Sequence, residues 1–285
     1  MDKAFWQSIV EHDCAVPEGY TVEALTPELL ELLGSPDPEL RDEVAYMVFA
    51  RWIVRDDHYR PHELQALIDV LKHNLNVGIG DQDTDSVLKR SFSALTLSLI
   101  AYYDVQKRQF ATREINDLVE TGVEYLLAEQ DLRGWIPGLG WVHATAHTAD
   151  LLKFLARHPN SYGGDHLTIL NGIVDKLTQP VNHVFIHDED ERLTMAVLEI
   201  LKRGMVSQGI LIGWLERFHD WKVKMPQDGN FDPTIHAPYM NQKNFLRSLY
   251  FTLQILANKE SQFAPLEQTC LKIVRVFGAG TIYTG

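Results

Sequence analysis

The chain is 285 residues long, 45% hydrophobic and 23% charged, a composition that supports a sizeable core and argues against wholesale disorder. Its formal net charge of -13 argues against a nucleic-acid backbone or an anionic membrane as partner, because both select a positive surface. Cys14 and Cys270 form neither a CxxC pair nor a zinc-finger spacing, residues 1–13 lack the basic start and apolar run of a signal peptide, and the most apolar window, 92–103, is too short and too rich in Ser and Thr to span a bilayer, so the expected location is the cytoplasm.

In chain order, the first helical signals fall at 27–33 and 37–54. Asp37 can cap the second of these, and Pro38 suits a first helical position, where its missing N–H costs nothing. Leu40, Val44, Met47, Val48 and Trp52 then recur at three- and four-residue steps and make one apolar stripe. Further helices are expected in pairs over 61–77 and 85–104, 112–130 and 141–158, 165–178 and 188–203, and 207–221 and 239–258, with a last one over about 265–277. Stretches rich in Gly, Pro, Asn and Asp, such as 78–81 and 159–164, separate them. No alternating run bounded by hairpin turns stands out. Val184-Phe185-Ile186 reads equally as a short extended piece or as a loop anchored in the core.

The second helices of the pairs start near residues 38, 85, 141, 188 and 239, a spacing close to fifty. Asp37, Leu40 and Arg41 align with Asp85, Leu88 and Lys89, and Asp37, Arg41 and Ala45 align with Asp188, Arg192 and Ala196. The preferred fold is therefore all-α, with helical hairpins stacked as a HEAT- or armadillo-like α-solenoid; an irregular helical bundle is the alternative. A single helical-repeat domain over 1–285 is expected. The long loop 222–238, with Pro226, Gly229, Pro233 and Pro238, either sets off a C-terminal cap at 239–285 or covers a groove.

The segment with most chemical content is 134–152, where a Gly- and Trp-rich loop runs into a helix carrying His143, His147 and Asp150 at i, i+4 and i+7. At 100° per residue the three share one stripe, continued by Phe154, on a helix whose other residues are Ala, Thr and Leu. Two imidazoles a turn apart can chelate one cation, with Asp150 as third ligand or as the group that orients an imidazole, so a divalent metal such as zinc is a cofactor these residues could hold. The bland reading is that both histidines hydrogen-bond neighbouring helices and that Asp150 pairs with a base such as Arg157. The HExxH motif is absent, since Ala144 follows His143. A second cluster, Asp188, Glu189, Glu191 and Arg192, reads blandly as acidic residues complementing a helix start. If the pairs stack in register, the same residues face His143 across a groove walled by Trp135 and Trp141. The equivalent positions of the first two repeats, Arg41, Asp42 and Glu43, then Lys89, Arg90 and Ser91, suggest either a solvated edge or a groove. No nucleophile elbow, dinucleotide loop or P-loop is present.

The stretches 32–46, 91–95, 140–152 and 189–193 together resemble the bacterial domain-of-unknown-function family 2785, over most of the chain. The resemblance implies a bacterial cytoplasmic helical protein without naming a substrate. The leading functional expectation is a protein that binds a small polar ligand or a partner peptide in the groove of His143, His147, Asp150 and the 188–192 cluster. The alternative is a metal-dependent hydrolase using the same residues, and whether the chain is an enzyme stays open. A helical-repeat DNA-repair enzyme fits the architecture but not the charge, and in a pure scaffold the His/His/Asp stripe is internal packing.

Overall fold

The computed structural model describes residues 1–225 and 231–278. Among these residues the chain is all-α, with twelve helices, one short 3-10 turn and a single two-stranded hairpin. The helices are α1 (Lys3–Glu11), α2 (Val22–Leu32), α3 (Glu39–Tyr46, Met47–Ala50 and Arg51–Arg55 in unbroken succession, the first and last parts wound as π-helix), α4 (Pro61–Asn74), α5 (Ser86–Lys107) and α6 (Thr112–Ala128). After the hairpin of β1 (Trp135–Ile136) and β2 (Gly140–Trp141) come α7 (Ala144–Arg157), α8 (Gly163–Thr178), α9 (Glu189–Arg203), α10 (Gln208–Lys224), α11 (Pro233–Lys259) and α12 (Ala264–Gly278). No helix among the described residues is long and apolar enough to cross a membrane.

Two helix starts differ from expectation, and one open choice is settled. The helix expected from residue 141 starts at Ala144, because Trp141 pairs with Trp135 across the hairpin. Its turn is built by Pro137 and Gly138: the Leu139 N–H donates to the Ile136 carbonyl at 3.1 Å, and Gly138 sits at φ 80°, a conformation open to Gly at the third position of a type II turn. The helix expected from 239 starts at Pro233, since Asp232 caps it by accepting the Thr234 N–H at 2.8 Å and Pro233 occupies its first position. Both ends of the expected loop are helical, α10 running to Lys224 and α11 starting at Pro233 with Pro238 inside it; Pro226 and Gly229 lie outside the described residues. Finally, 184–186 is a loop anchored in the core. Phe185 is buried, its N–H donates to Asn241 Oδ1 at 2.8 Å, and Asn241 Nδ2 donates to the His183 carbonyl at 3.0 Å.

Helices about fifty residues apart become neighbours. α3 lies against α5, α5 against α7, α7 against α9 and α9 against α11, while α6 packs on α8, α8 on α10 and α10 on α12. Buried apolar side chains from Trp6 to Phe277 join in one contiguous core. The central helices are covered on almost every side. From Arg90 to Asp104, α5 leaves only Leu95, Leu99 and Tyr102 short of full burial, and α7 leaves only Lys153, Phe154 and Arg157.

Arg41, Arg90 and Ser91 are not on a solvated edge: all three are fully buried. Arg90 grips both Glu129 oxygens, at 2.6 and 3.0 Å, and donates to the Val77 and Gly78 carbonyls. Tyr125 donates to the same carboxylate at 3.0 Å, and Lys176 donates to the Glu129 carbonyl at 2.7 Å. Burial brings the Lys176 ammonium down to about 8. This cluster ties α5, α6 and α8 to the end of α4. Removing one partner leaves a buried charge without compensation, so Arg90→Ala is expected to cost about 3–5 kcal/mol in denaturant unfolding. Truncating Arg60, whose pair with Glu63 lies at the surface, should leave the unfolding transition almost unchanged. Equal losses would mean that the Arg90 cluster is not buried as described.

Candidate ligand-binding site

The site lies where the starts of α7 and α9 meet under the hairpin. Arg41 of α3 sets the hairpin in place: its guanidinium donates to the Leu139 carbonyl at 2.7 Å and to the Ser35 carbonyl at 2.9 Å, and lies 4.8 Å over the Phe92 ring. Trp135 and Trp141 remain 48% and 41% exposed. The Trp141 indole stacks on the His143 imidazole, with centroids 4.5 Å apart and planes 16° off parallel, and meets His187 edge-on at 5.7 Å. Trp141 thus covers the site, and Trp135 stands opposite it on the paired strand.

His143 is not on the helix proper. It is the residue before α7, in a left-handed conformation at φ 52°, and its Nε2–H donates to the His187 carbonyl at 2.6 Å. Nδ1 is then the acceptor of the neutral ring. Glu189 lies close by, buried, with Oε1 3.7 Å from His143 Nε2 and making no hydrogen bond, while Oε2 accepts the His187 N–H at 2.8 Å. The first turn of α9 therefore faces His143, without a side-chain hydrogen bond between them. The residue at closest range is Glu189; Asp188 is exposed, left-handed at φ 66° and makes no side-chain cap, and Glu191 is exposed. Gly134 is required beneath His187, since a Cβ there would fall 2.0 Å from His187 Nδ1.

His147 lies one turn on, 5.6 Å from His143 and edge-on to Phe92 at 5.0 Å. Its Nδ1 is 2.8 Å from Ser91 Oγ, and Ser91 gives its own proton to the Val142 carbonyl. The imidazole must therefore donate in this contact, which leaves Nε2 as an acceptor. This is not a nucleophile–base pair, because the ring gives a proton to Ser91 rather than taking one, and the hydroxyl is fully buried. Asp150 accepts from Arg192 of α9 and, at 2.7 Å, from Lys153 of its own helix. Arg157 pairs instead with Glu199. The three residues read as a metal set are thus divided among other partners. Among the described residues no group of three or more His, Cys, Asp or Glu is placed to hold a metal ion.

The stripe does not end at Asp150. Tyr102 of α5 and Phe154 of α7 meet at 5.1 Å, Lys153 Nζ lies 4.4 Å over the Phe154 ring, and Glu199 takes hydrogen bonds from Arg157 and Lys202. Burial pushes the Tyr46 phenol up, with Asp150 adding to the shift, which puts α3 at the same strip. Tyr46, Tyr102, Lys153 and Glu199 carry no motif in sequence. Only the i+4 and i+7 continuation from His147 to Phe154 pointed this way.

A family model described as a protein of unknown function, DUF2785, matches residues 75–251, more than half of the chain. The chain belongs to this family. No curated protein and no solved structure matches it. The DUF2785 match opens at the end of α4 and closes inside α11, so it takes in the hairpin, both histidines and the whole of α7 and α9.

Burial disfavours the imidazolium and holds His143 below the ordinary 6.5, and His147 well below it. The unfolded chain takes up these protons near pH 6.5 and the folded chain only at lower pH, so this part of the stability is complete above about 6.5 and is lost as pH falls below it. Glu189 has the opposite sign. Burial raises its carboxyl above 4.5, so its cost is present at neutral pH and eases as pH falls through the raised value. In an NMR titration of the imidazoles, His143 and His147 should show midpoints under 6.5; a midpoint at or above 6.5 for either would contradict the buried neutral pair.

Proposed function

We propose that the chain is a binding protein of the cytoplasm, a HEAT- or armadillo-like α-solenoid forming a single unit over residues 1–285, with α11 and α12 closing its C-terminal end. The solenoid reading is supported by the packing order, in which each helix of the series α3, α5, α7, α9, α11 lies against the next. A stack of hairpins calls for that order, and an irregular bundle does not. Two buried free thiols, Cys14 and Cys270, suit a reducing compartment.

The observation that carries the binding reading is the uncovered strip on α5 and α7, two helices otherwise buried on all sides. It runs over Tyr102, Lys153, Phe154 and Arg157, and beside it lie the Asp150–Arg192 pair and the buried acceptor nitrogens of His143 and His147 under Trp141. Neutral imidazoles offering lone pairs suit the donors of a small polar ligand or a peptide backbone, and the aromatic edges offer apolar contact. A second reading, acid–base catalysis, draws on the Glu189 oxygen that faces His143 without a hydrogen bond. That form would need no metal ion.

The test is retention of a fluorescent pool of short random-sequence peptides on ultrafiltration with the full chain. Wild type should retain part of the pool, and Phe154→Ala should lose most of that retention. Ile210→Ala, on the exposed side of α10, should not. Equal retention by wild type and Phe154→Ala, with both variants folded by circular dichroism, would remove the strip as a binding surface.

A further inference from the structure

Two places along the strip hold more positive than negative charge. At the first, the Asp150 carboxylate takes hydrogen bonds from both Lys153 and Arg192. At the second, the Glu199 carboxylate takes them from Arg157, at 3.0 and 2.9 Å, and from Lys202 at 2.9 Å. Each is a triad of two cations and one anion, so each keeps one unbalanced positive charge in a chain whose net charge is -13. Arg157, Arg192 and Lys202 reach solvent, with side chains 40%, 39% and 50% exposed. Outside the triads α9 is acidic in its first turn, where Glu191 is exposed and Asp190 half-buried, and basic at its end, at Arg203. The excess therefore grows toward the C-terminal ends of α7 and α9, where Arg203 also holds the Arg157 and His158 carbonyls.

Between the triads lies Phe154, with Tyr102 against one side and the Lys153 and Arg157 cations over its ring at 4.4 and 5.8 Å. The uncovered part of α7 here is narrow, because Leu151, Leu152, Leu155 and Ala156 are all buried. A helix laid on it would find no second apolar row to rest on, whereas an extended chain needs only one. From Asp150 to Arg157 is seven residues, about 10 Å along the helix axis. An extended chain of three residues per turn rises about 3.1 Å per residue and returns a side chain to the same side after about 9 Å. Two acidic side chains three residues apart fit that separation.

Building on the binding reading above, we propose that the strip takes an extended acidic peptide, two carboxylates three residues apart seating on the Asp150 and Glu199 triads and an apolar residue between them resting on Phe154 and Tyr102. Arg192 and Arg157 each have donors to offer a second carboxylate while keeping the first, the fork geometry that suits guanidinium to this role. Attraction between such exposed groups steers encounter and adds modest affinity per charge.

The probe is a fluorescein-labelled peptide with two glutamates three residues apart around a leucine and a proline, measured by anisotropy against the full chain beside its glutamine and lysine counterparts. The glutamate peptide should bind about tenfold more tightly than the glutamine one, and its advantage should shrink as added salt shortens the Debye length below about 10 Å. Arg157→Gln and Arg192→Gln should each weaken it about three- to tenfold, and the double variant should no longer tell glutamate from glutamine. Both variants leave one cation on each carboxylate, Lys202 on Glu199 and Lys153 on Asp150, so the melting temperature should hold within a few degrees. Glutamate and glutamine peptides binding equally, with retention still lost in Phe154→Ala, would overturn the acidic partner and leave the binding strip standing. No retention of any peptide or of the random pool would overturn both. Tighter binding of a short oligothymidine, lost in the double variant, would overturn the peptide in favour of a nucleic acid.

Discussion

The guanidinium of Arg90 meets both oxygens of Glu129 where neither group reaches water. Two charges taken out of solvent tolerate no slack, because a shift of one helix past its neighbour strands both of them. The same constraint recurs along the chain. At the far end of α5, Asp104 faces His158 Nε2 at 3.0 Å and accepts the Gln109 and Phe110 N–H groups, which fixes the end of α7 to the turn into α6. Arg203 then holds the carbonyls that end α7, and Trp214 donates to the Leu170 carbonyl at 2.8 Å. Apolar burial drives the helices together, and these polar contacts select one alignment among many of similar area.

The site inherits its geometry from that alignment. His143 and His147 stand a turn apart at the start of α7 and Ser91 lies on α5, and the proton inventory of their contacts leaves a single self-consistent arrangement. His143 donates to a carbonyl, Ser91 donates to a carbonyl, and His147 donates to Ser91. The orphan oxygen of Glu189, the bare Nδ1 of His187 and the Thr145 hydroxyl are places where the inventory does not close. Buried groups left this way cost about 1–3 kcal/mol each, and they lie within the stretch that the family match spans.

Helix positions were readable in sequence because apolar periodicity and end residues both act over one or two turns. Asp37 shows this, accepting the Glu39 N–H at the start of α3, whereas the Asp232 cap that starts α11 falls within the expected loop. The expected neighbourhood of the α7 and α9 starts was also readable, from the near-fifty spacing. The burial of Arg41 and Arg90 was not. A charged residue type suggests solvent, and what reverses it is a carbonyl or carboxylate distant in sequence, Leu139 for one and Glu129 for the other. The hairpin escaped notice because its strands are two residues long and its Trp side chains point outward, so no alternation exists to be seen. The partner of Asp150 was misjudged for a related reason: Arg157 shares its helix, but Arg192 approaches from α9 and Lys153 from the next turn.

The contact between Arg41 and the Leu139 carbonyl also bears on the order of assembly. It joins residues 98 apart, whereas every other side-chain hydrogen bond among the described residues spans 58 or fewer. Loop closure grows only slowly with length, so the extra entropy amounts to about 0.5 kcal/mol and does not make the contact weak. The difference is kinetic. Helix pairs can dock on their neighbours as each is completed, but the hairpin cannot reach Arg41 until α3, α5 and the loop after α6 are in place. The cover over His143 is therefore a late event in folding, and among the first parts of the chain to let go when the native state opens locally.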